Sequence, residues 1–468
     1  MMLKTKNFIA ILGLILMPML TSCVSLLPTL PTVSIQVNES VGIAPFTVSF
    51  GSTLTVPAKK TEGDWRFVWD FGDGTSGEGP DMLHTYYKPG RYKATLLVSN
   101  GDDFETERSL SVETLLGPSF EVAQYPTGLS PVAVASLDLN RDQQPDLISA
   151  NSKNHSISVF LAEGNALRTS PYQYPAIKSP SPNPQPQSIT LGDINHDGLT
   201  DLVVLNPPDD NVTILFGDGI GGFQTPSGYR MINPQQALVG DFDGDDTADV
   251  LVLSQRGDVT HVVLMRGKGT GELALGETLF YYAKITDMAK GDFDRDGDLD
   301  LVLTTTSFGL EYIVLLNNGD TFAAPLYGLL QSKPLEVVAL DFDFDGNKDL
   351  ITANEDGSLS LLNGNGKGKF SLSATVASDL GTPISLVAAD LNGDHIDDLI
   401  VQHRKDVETL SMLLGDGMGH FTGATRIDGF SGGVCPLIVD LDANGMNDLI
   451  MVNPESNELL VGINQASN

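Results

Sequence analysis

Five aspartates stand at alternate positions between Asp292 and Asp300, and the apolar run Leu301-Val302-Leu303 follows directly. So many carboxylates repel one another unless a cation neutralises them. Side-chain oxygens at positions one, three, five and nine of the loop, with a backbone carbonyl at position seven, suit Ca²⁺, a hard ion that takes six to eight oxygens. The same nine-residue pattern recurs from Asp138, Asp193, Asp241, Asp341, Asp390 and Asp440. Those seven loops hold 27 of the 60 acidic residues, so the net charge of −33 is largely a property of the loops. A balance this negative argues against nucleic acid as a partner, because phosphates would be repelled.

The loops must be positioned by strands. An apolar segment precedes each one, as in Leu335 to Leu340, and a second begins at its last aspartate, as in Asp349-Leu350-Ile351-Thr352. A polar turn leads to a third strand ending in runs such as LLNGNGKGKF, and a fourth is expected to start near that Phe370. The first aspartates are spaced by 55, 48, 51, 49, 49 and 50 residues. A strand-built repeat near fifty residues points to propeller blades, here seven of four strands each. The chain stops after the third strand of the last repeat, Glu458 to Ile463, while Pro118 to Tyr125 looks like a fourth strand without its own repeat. Pairing of these two would close the ring and remove its open edges.

The pattern D-x-[DN]-x-[DN]-G-x-x-D-[LV] in a fifty-residue β repeat resembles the FG-GAP and VCBS repeats of integrin α-subunit propellers and bacterial surface proteins. The resemblance covers residues 117–465. It implies these side-chain ligands: Asp138, Asn140, Asp142 and Asp146 in repeat one; Asp193, Asn195, Asp197 and Asp201 in repeat two; Asp241, Asp243, Asp245 and Asp249 in repeat three. Repeat four offers Asp292, Asp294, Asp296 and Asp300, and repeat five Asp341, Asp343, Asp345 and Asp349. Repeat six offers Asp390, Asn392, Asp394 and Asp398, and repeat seven Asp440, Asp442, Asn444 and Asp448. Up to seven Ca²⁺ ions are expected. Binding should be weakest in repeats one and six, where Gln143 and His395 replace the turn glycine, and strongest in repeats three to five. An EF-hand is excluded, because position twelve is never acidic and no flanking helix is expected.

Residues 33–115 read as strands separated by turns. Trp69-Asp70-Phe71-Gly72-Asp73-Gly74, with His84-Thr85-Tyr86 downstream, resembles the PKD domain, an Ig-like β-sandwich. Both Trp65 and Trp69 are expected in its core. Such a module either spaces the propeller from a membrane, the favoured reading, or binds glycan or protein. The fold class is therefore all-β: a seven-bladed propeller over 117–468, closed by the 118–126 strand, after a small sandwich.

Residues 1–22 carry Lys4 and Lys6 and then an apolar run from Phe8, the form of a secretory signal. Leu20-Thr21-Ser22-Cys23 resembles a bacterial lipobox, which implies lipidation of Cys23, a lipid bilayer as partner and a tether over 23–32. The implied location is the bacterial cell envelope, at the outer membrane if the cell is Gram-negative, with surface exposure in view. Cys435 is expected to be a small buried hydrophobe.

No catalytic constellation stands out. Gly217-Asp218-Gly219-Ile220-Gly221-Gly222 matches a nucleotide-loop pattern but lacks a βαβ unit. Arg256-Gly257-Asp258, the tripeptide that integrins recognise, falls where a hairpin turn needs such residues. Meander geometry places the aspartate loops on one face and leaves the other for a ligand, with Tyr172, Tyr174, Tyr229, Arg230, His155 and Arg256 as candidates. The leading function is a calcium-stabilised scaffold that binds an unidentified glycan or protein. The alternatives are a polysaccharide-active enzyme, such as a lyase, and a structural envelope or assembly protein.

Overall fold

The computed structural model describes residues 31–465 except 39, 44–45, 57–63, 102–103, 116, 165–166, 177–184, 275, 308–310, 320, 379 and 406. The signal segment, Cys23 and most of the tether lie outside the described residues, as does much of the Pro-rich crossing after Pro175. Two compact units result, residues 1–115 and 116–468. No α-helix occurs among the described residues.

The first unit packs two sheets. Thr32–Val37, Phe46–Thr55 and Met82–Tyr86 form one. The other runs Val41–Ile43, Glu105–Leu115, Gly90–Ser99, Arg66–Asp70 and Ser76–Glu78 in spatial order. Strict alternation decides the core: Phe46, Val48 and Phe50 face inward, while Thr47 and Ser49 face out. Trp69 is fully buried against Phe50, with ring centroids 5.1 Å apart. Trp65 is only half-buried and meets Phe104 at the margin, so one tryptophan, not two, fills the centre. The turn after Phe71 is held by Asp73, whose Oδ1 accepts the Thr75 N–H at 3.0 Å and whose Oδ2 lies 2.8 Å from His84 Nε2. The Tyr86 hydroxyl donates to the Phe71 carbonyl at 2.9 Å, which ties the two motif segments together.

Among the described residues, the second unit contains seven four-stranded antiparallel sheets, here blades one to seven. Blade one is Pro131–Leu137, Asp146–Asn151, Ser156–Phe160 and Tyr172–Pro175; blades two to six repeat this order. First strands of neighbouring blades touch in a cycle, and the first strand of blade seven, Val434–Val439, touches that of blade one. The first strands are therefore innermost. Second strands such as Asp146–Asn151 and Asp300–Thr305 are buried at every residue, which accounts for their near-continuous apolar sequence. Cores form between successive sheets, as where Val203 and Ile214 of blade two meet Val250 and Val263 of blade three.

Blade seven takes its outer strand from the start of the repeat region. Phe120–Pro126 pairs antiparallel with Glu458–Asn464, Phe120 opposite Asn464 and Pro126 opposite Glu458. One expectation is sharpened and another needs correction. The fourth strand starts at the aromatic only in blade five, at Phe370, and in the closing strand, at Phe120. Elsewhere that residue makes an isolated bridge, Gly217 to Phe223 or Gly415 to Phe421, and the outer strand begins a few residues later. Cys435 is exposed at an irregularity of its inner strand, with φ of 56°, because the bulge there turns it out of the core.

Removing residues 1–127 should expose the edge of Glu458–Asn464. We expect the melting temperature to fall by about 10 °C or more relative to a variant lacking only residues 1–116, or aggregation in size-exclusion chromatography.

Candidate metal centre

Each loop joins the first and second strands of a blade, and its ninth residue opens the second strand: Leu137 pairs with Asp146, and Gly291 with Asp300. The ninth-position aspartates 146, 201, 249, 300, 349, 398 and 448 are all essentially inaccessible. Each bridges two backbone amides. In blade four, Asp300 Oδ2 accepts the Phe293 N–H at 2.7 Å and Oδ1 the Asn317 N–H at 2.7 Å, beyond the third strand. The pair recurs in blade one, from Leu139 and Ala162 to Asp146, and in blade seven, from Leu441 and Asn464 to Asp448. Blades two, three, five and six repeat it on Asp201, Asp249, Asp349 and Asp398. An aspartate at position nine thus has a structural reason that needs no metal. The loop clamps the third strand as well as the first two.

The first position holds the turn. Asp292 Oδ2 accepts the Gly297 N–H at 3.2 Å, and Asp193 Oδ2 the Gly198 N–H at 2.8 Å. Where glycine is missing the bond persists: Gln143 to Asp138 at 2.9 Å, Asp246 to Asp241 at 2.9 Å, His395 to Asp390 at 2.8 Å. Those three residues take φ of 69°, 64° and 67°. A second left-handed residue stands at position four, which the sequence reading missed. It is Arg141, His196, Arg295, Phe344 or Ala443, with glycine only in blades three and six. The varied side chains gave no sequence signal. Position two was also missed: Leu139, Ile194, Phe242, Phe293, Phe342, Leu391 and Leu441 are buried and anchor the loop from below.

Carboxylates from positions one, three and nine converge in four blades. The groups are Asp241, Asp243 and Asp249; Asp292, Asp294 and Asp300; Asp341, Asp343 and Asp349; and Asp440, Asp442 and Asp448, each with ligand atoms within 4.8 Å of one another. In three of these, one oxygen is buried with no hydrogen-bond partner among the described residues: Asp243 Oδ1, Asp294 Oδ1 and Asp341 Oδ1. Buried oxygens without a donor call for a cation. These aspartate clusters could hold metal ions. The fifth-position Asp245, Asp296 and Asp345 lie outside the converging groups, and each accepts the N–H of residue seven, at 2.9, 2.9 and 2.7 Å. Position three is asparagine in blades one, two and six. Asn140, Asn195 and Asn392 donate to Asp142, Asp197 and Asp394 at 3.0, 2.9 and 3.0 Å. Blade three also carries its own cation, since Arg266 Nη1 lies 2.6 Å from Asp243 Oδ2.

Burial pushes the ninth-position carboxyls up, to about 6 for Asp201, Asp249, Asp300, Asp349 and Asp448 and to about 8 for Asp398, against the opposing pull of their two backbone donors. Neighbouring loop aspartates add to the rise. A divalent ion would reverse this, because it favours the charged form.

The candidate rim residues divide. Arg230 and Arg256 are exposed at strand ends away from the loops, and His155 lies in a turn on that side. The three tyrosines do not belong there. Tyr172 pairs with Val159 near the loop end of its strand, where Arg168 lies 4.6 Å over its ring. Tyr174 packs on Phe223, and the Tyr229 hydroxyl donates to the Gly271 carbonyl at 3.2 Å, so both serve contacts between blades. Gly217–Gly222 is a turn closed by Asp218, which accepts the Ile220 and Gly222 N–H groups.

Sheet order, repeated loops and the preceding sandwich define a class: a repeat-built, propeller-like all-β protein with acidic turn loops. The PKD domain family matches residues 40–114, and the FG-GAP-like repeat family matches 138–204, 193–252, 241–303 and 341–401. The chain is an FG-GAP repeat protein with an N-terminal PKD domain. It is similar to the T-cell immunomodulatory proteins of Rattus norvegicus, at 29% identity over 240 residues, and Mus musculus, at 28%. The match takes in 47% of this chain and 37% of each relative, so the chain spans about a third of their length. Among solved structures, BBS1N in complex with ARL6DN is similar at a TM-score of 0.50 and 13% identity, covering 75% of this chain and 99% of that one. This likeness shows the fold alone.

Two substitutions separate the roles within a loop. Asp300→Ala should cost about 2–5 kcal/mol with or without metal, because two buried amides lose their acceptor. Asp294→Asn should stay within about 1 kcal/mol of the parent in chelator but lose part of any metal-induced rise, read by thermal denaturation. The raised carboxyls set a pH slope. In the folded state they hold protons above their unfolded value near 4, so their contribution is complete below about pH 4 and is lost through pH 6 to 8. In chelator the melting temperature should therefore be higher at pH 5 than at pH 8, and a divalent metal should flatten or reverse that difference.

Proposed function

We propose that the repeat domain is a calcium-stabilised scaffold that presents the face opposite its loops to a glycan or protein partner. The carrying observation is the set of buried, donorless oxygens at Asp243, Asp294 and Asp341, each inside a three-carboxylate group. An oxygen-only site of this charge suits Ca²⁺ better than softer metals. FG-GAP repeats often bind calcium, which agrees with this choice of ion. The ions would act as structural clamps. In this reading blades three, four, five and seven bind first, and the loops with asparagine at position three bind more weakly. Cys23 would be lipidated and hold the protein at the bacterial envelope, with the PKD domain as spacer.

One feature favours a second reading, a polysaccharide-active enzyme. His261 stacks on Tyr281 at 5.7 Å, and its Nδ1 is buried without a hydrogen-bond partner among the described residues. Burial first, and then the charge of Arg256, holds its imidazole below the ordinary value. A neutral imidazole beside a tyrosine and an arginine could act as a base toward a sugar acid.

Two measurements test the first reading. Millimolar Ca²⁺ should raise the melting temperature over that in EDTA, each weak site adding about 0.4–1.4 kcal/mol; an unmoved melt with metal removal verified would remove calcium from the account. Residues 24–468 should capture a partner from envelope extracts or a glycan array and leave polysaccharides intact. Depolymerisation abolished by His261→Ala would establish the enzyme instead.

A further inference from the structure

Gln236, Asp287 and Glu336 occupy the same place in three successive inner strands. Each follows the irregularity near the strand start, at Pro234/Gln236, Ile285/Asp287 and Pro334/Glu336. These strands start at the face away from the aspartate loops, which follow the strand ends. Gln236 reaches into blade four: its Nε2 donates to Asp287 Oδ1 at 2.6 Å, and its Oε1 accepts the Met288 N–H at 3.0 Å. Asp287 in turn reaches into blade five, where its Oδ2 accepts the Val337 N–H at 2.8 Å. The third member breaks this series. Among the described residues no hydrogen bond or ion pair meets the Glu336 carboxyl, and the forces on it are burial and the like charge of Asp287.

All three residues line a cavity of about 810 Å³. That volume is within the usual range for small-ligand sites, about 300–1,000 Å³. Its other polar groups include the amide of Gln255 and the hydroxyls of Thr260 and Thr286. Among the described residues no aromatic ring lines it, so a sugar would lack a stacking platform. Lys284 stands in the wall but pairs with neither carboxyl among the described residues. Burial, and then the like charge of Asp287, pushes the Glu336 carboxyl well above the ordinary range, and burial pushes Asp287 up as well. Two acids this close, one without a donor, favour a group that brings positive charge and several N–H donors together. An alkylammonium does both, with three donors and no acceptor.

We propose that this cavity, between the inner strands of blades three to five, binds a primary alkylammonium group, with Glu336 and Asp287 as its anionic contacts. The proposal rests on the reading that the face away from the loops carries the ligand, and it names the chemistry that this face recognises. The ammonium comes either from a free polyamine or from a lysine side chain of a partner. A bound ammonium favours the ionised form of Glu336, so binding is coupled to release of a proton from it. The other titratable groups facing the pair are Asp258 and Lys284 in the cavity wall and Cys435, whose thiol senses the Glu336 charge.

The test is calorimetric titration of the full chain with spermidine and, separately, with lysine blocked at both backbone ends, in millimolar Ca²⁺ to occupy the loops. Binding of either compound, with proton release seen as a dependence of the heat on buffer ionisation, is the expected result. Spermidine alone binding assigns a free polyamine, and blocked lysine binding assigns a partner's side chain. Glu336→Gln should weaken the interaction at least tenfold while the melting temperature does not fall and its calcium response stays unchanged. No binding, or binding without proton release and equally strong in Glu336→Gln, would mean counterion attraction to the acidic loops only and would overturn the proposal. Capture of an envelope partner is scored separately. A Glu336→Gln protein that still captures it leaves the scaffold reading standing and removes the amine from that contact.

Discussion

The second unit depends on one repeated interaction: a buried aspartate carboxylate shared between two backbone amides of the same blade. The first amide lies just after the first strand and the second just after the third. Where the carboxyl is ionised, these bonds are charge-assisted and stronger than neutral ones. Each also removes two donors that would otherwise be buried without acceptors. A single side chain therefore fixes where three strands end relative to one another. The metal question is secondary to this clamp. An ion would sit among the carboxylates at positions one, three and nine, and it would satisfy oxygens at positions one and three that the backbone leaves without a donor.

This division explains how much of the site was legible. The spacing of aspartates revealed seven repeats, the alternation of strands and loops, and the closing strand at Phe120. Convergence of positions one, three and nine in blades three, four, five and seven follows from the same pattern. What the pattern hid was purpose. Position nine looks like a ligand in every repeat, yet it also accepts two backbone amides in every blade, a role the spacing does not disclose. Position four adopts a left-handed conformation with residues as unlike as Phe344 and Ala443, so no residue type could disclose it. The strain is tolerated because Asp at position one and the apolar anchor at position two determine the turn from both sides.

The opposite face was less readable for a geometric reason. Strand periodicity tells which residues point inward, but not which end of a blade a side chain leans toward. Tyr172, Tyr174 and Tyr229 sit in outer strands whose polarity is clear only once the pairing is known, and all three serve the loop side or contacts between blades. Glu336 gave a faint signal, an acid inside an otherwise apolar inner strand, and its meaning depended on the cross-blade partners of Gln236 and Asp287.

The closing strand bears on how such a chain reaches its native state. Phe120–Pro126 is made before any blade, and its partner Glu458–Asn464 after all the rest. The pairing spans almost the whole repeat region, so its loop entropy is met last, after the local hairpins have formed. Until then the molecule is an open arc with two unsatisfied ends. Assembly is therefore sequential within blades but gated at the level of the ring. A chain interrupted late in synthesis retains an early strand that can pair only with another molecule.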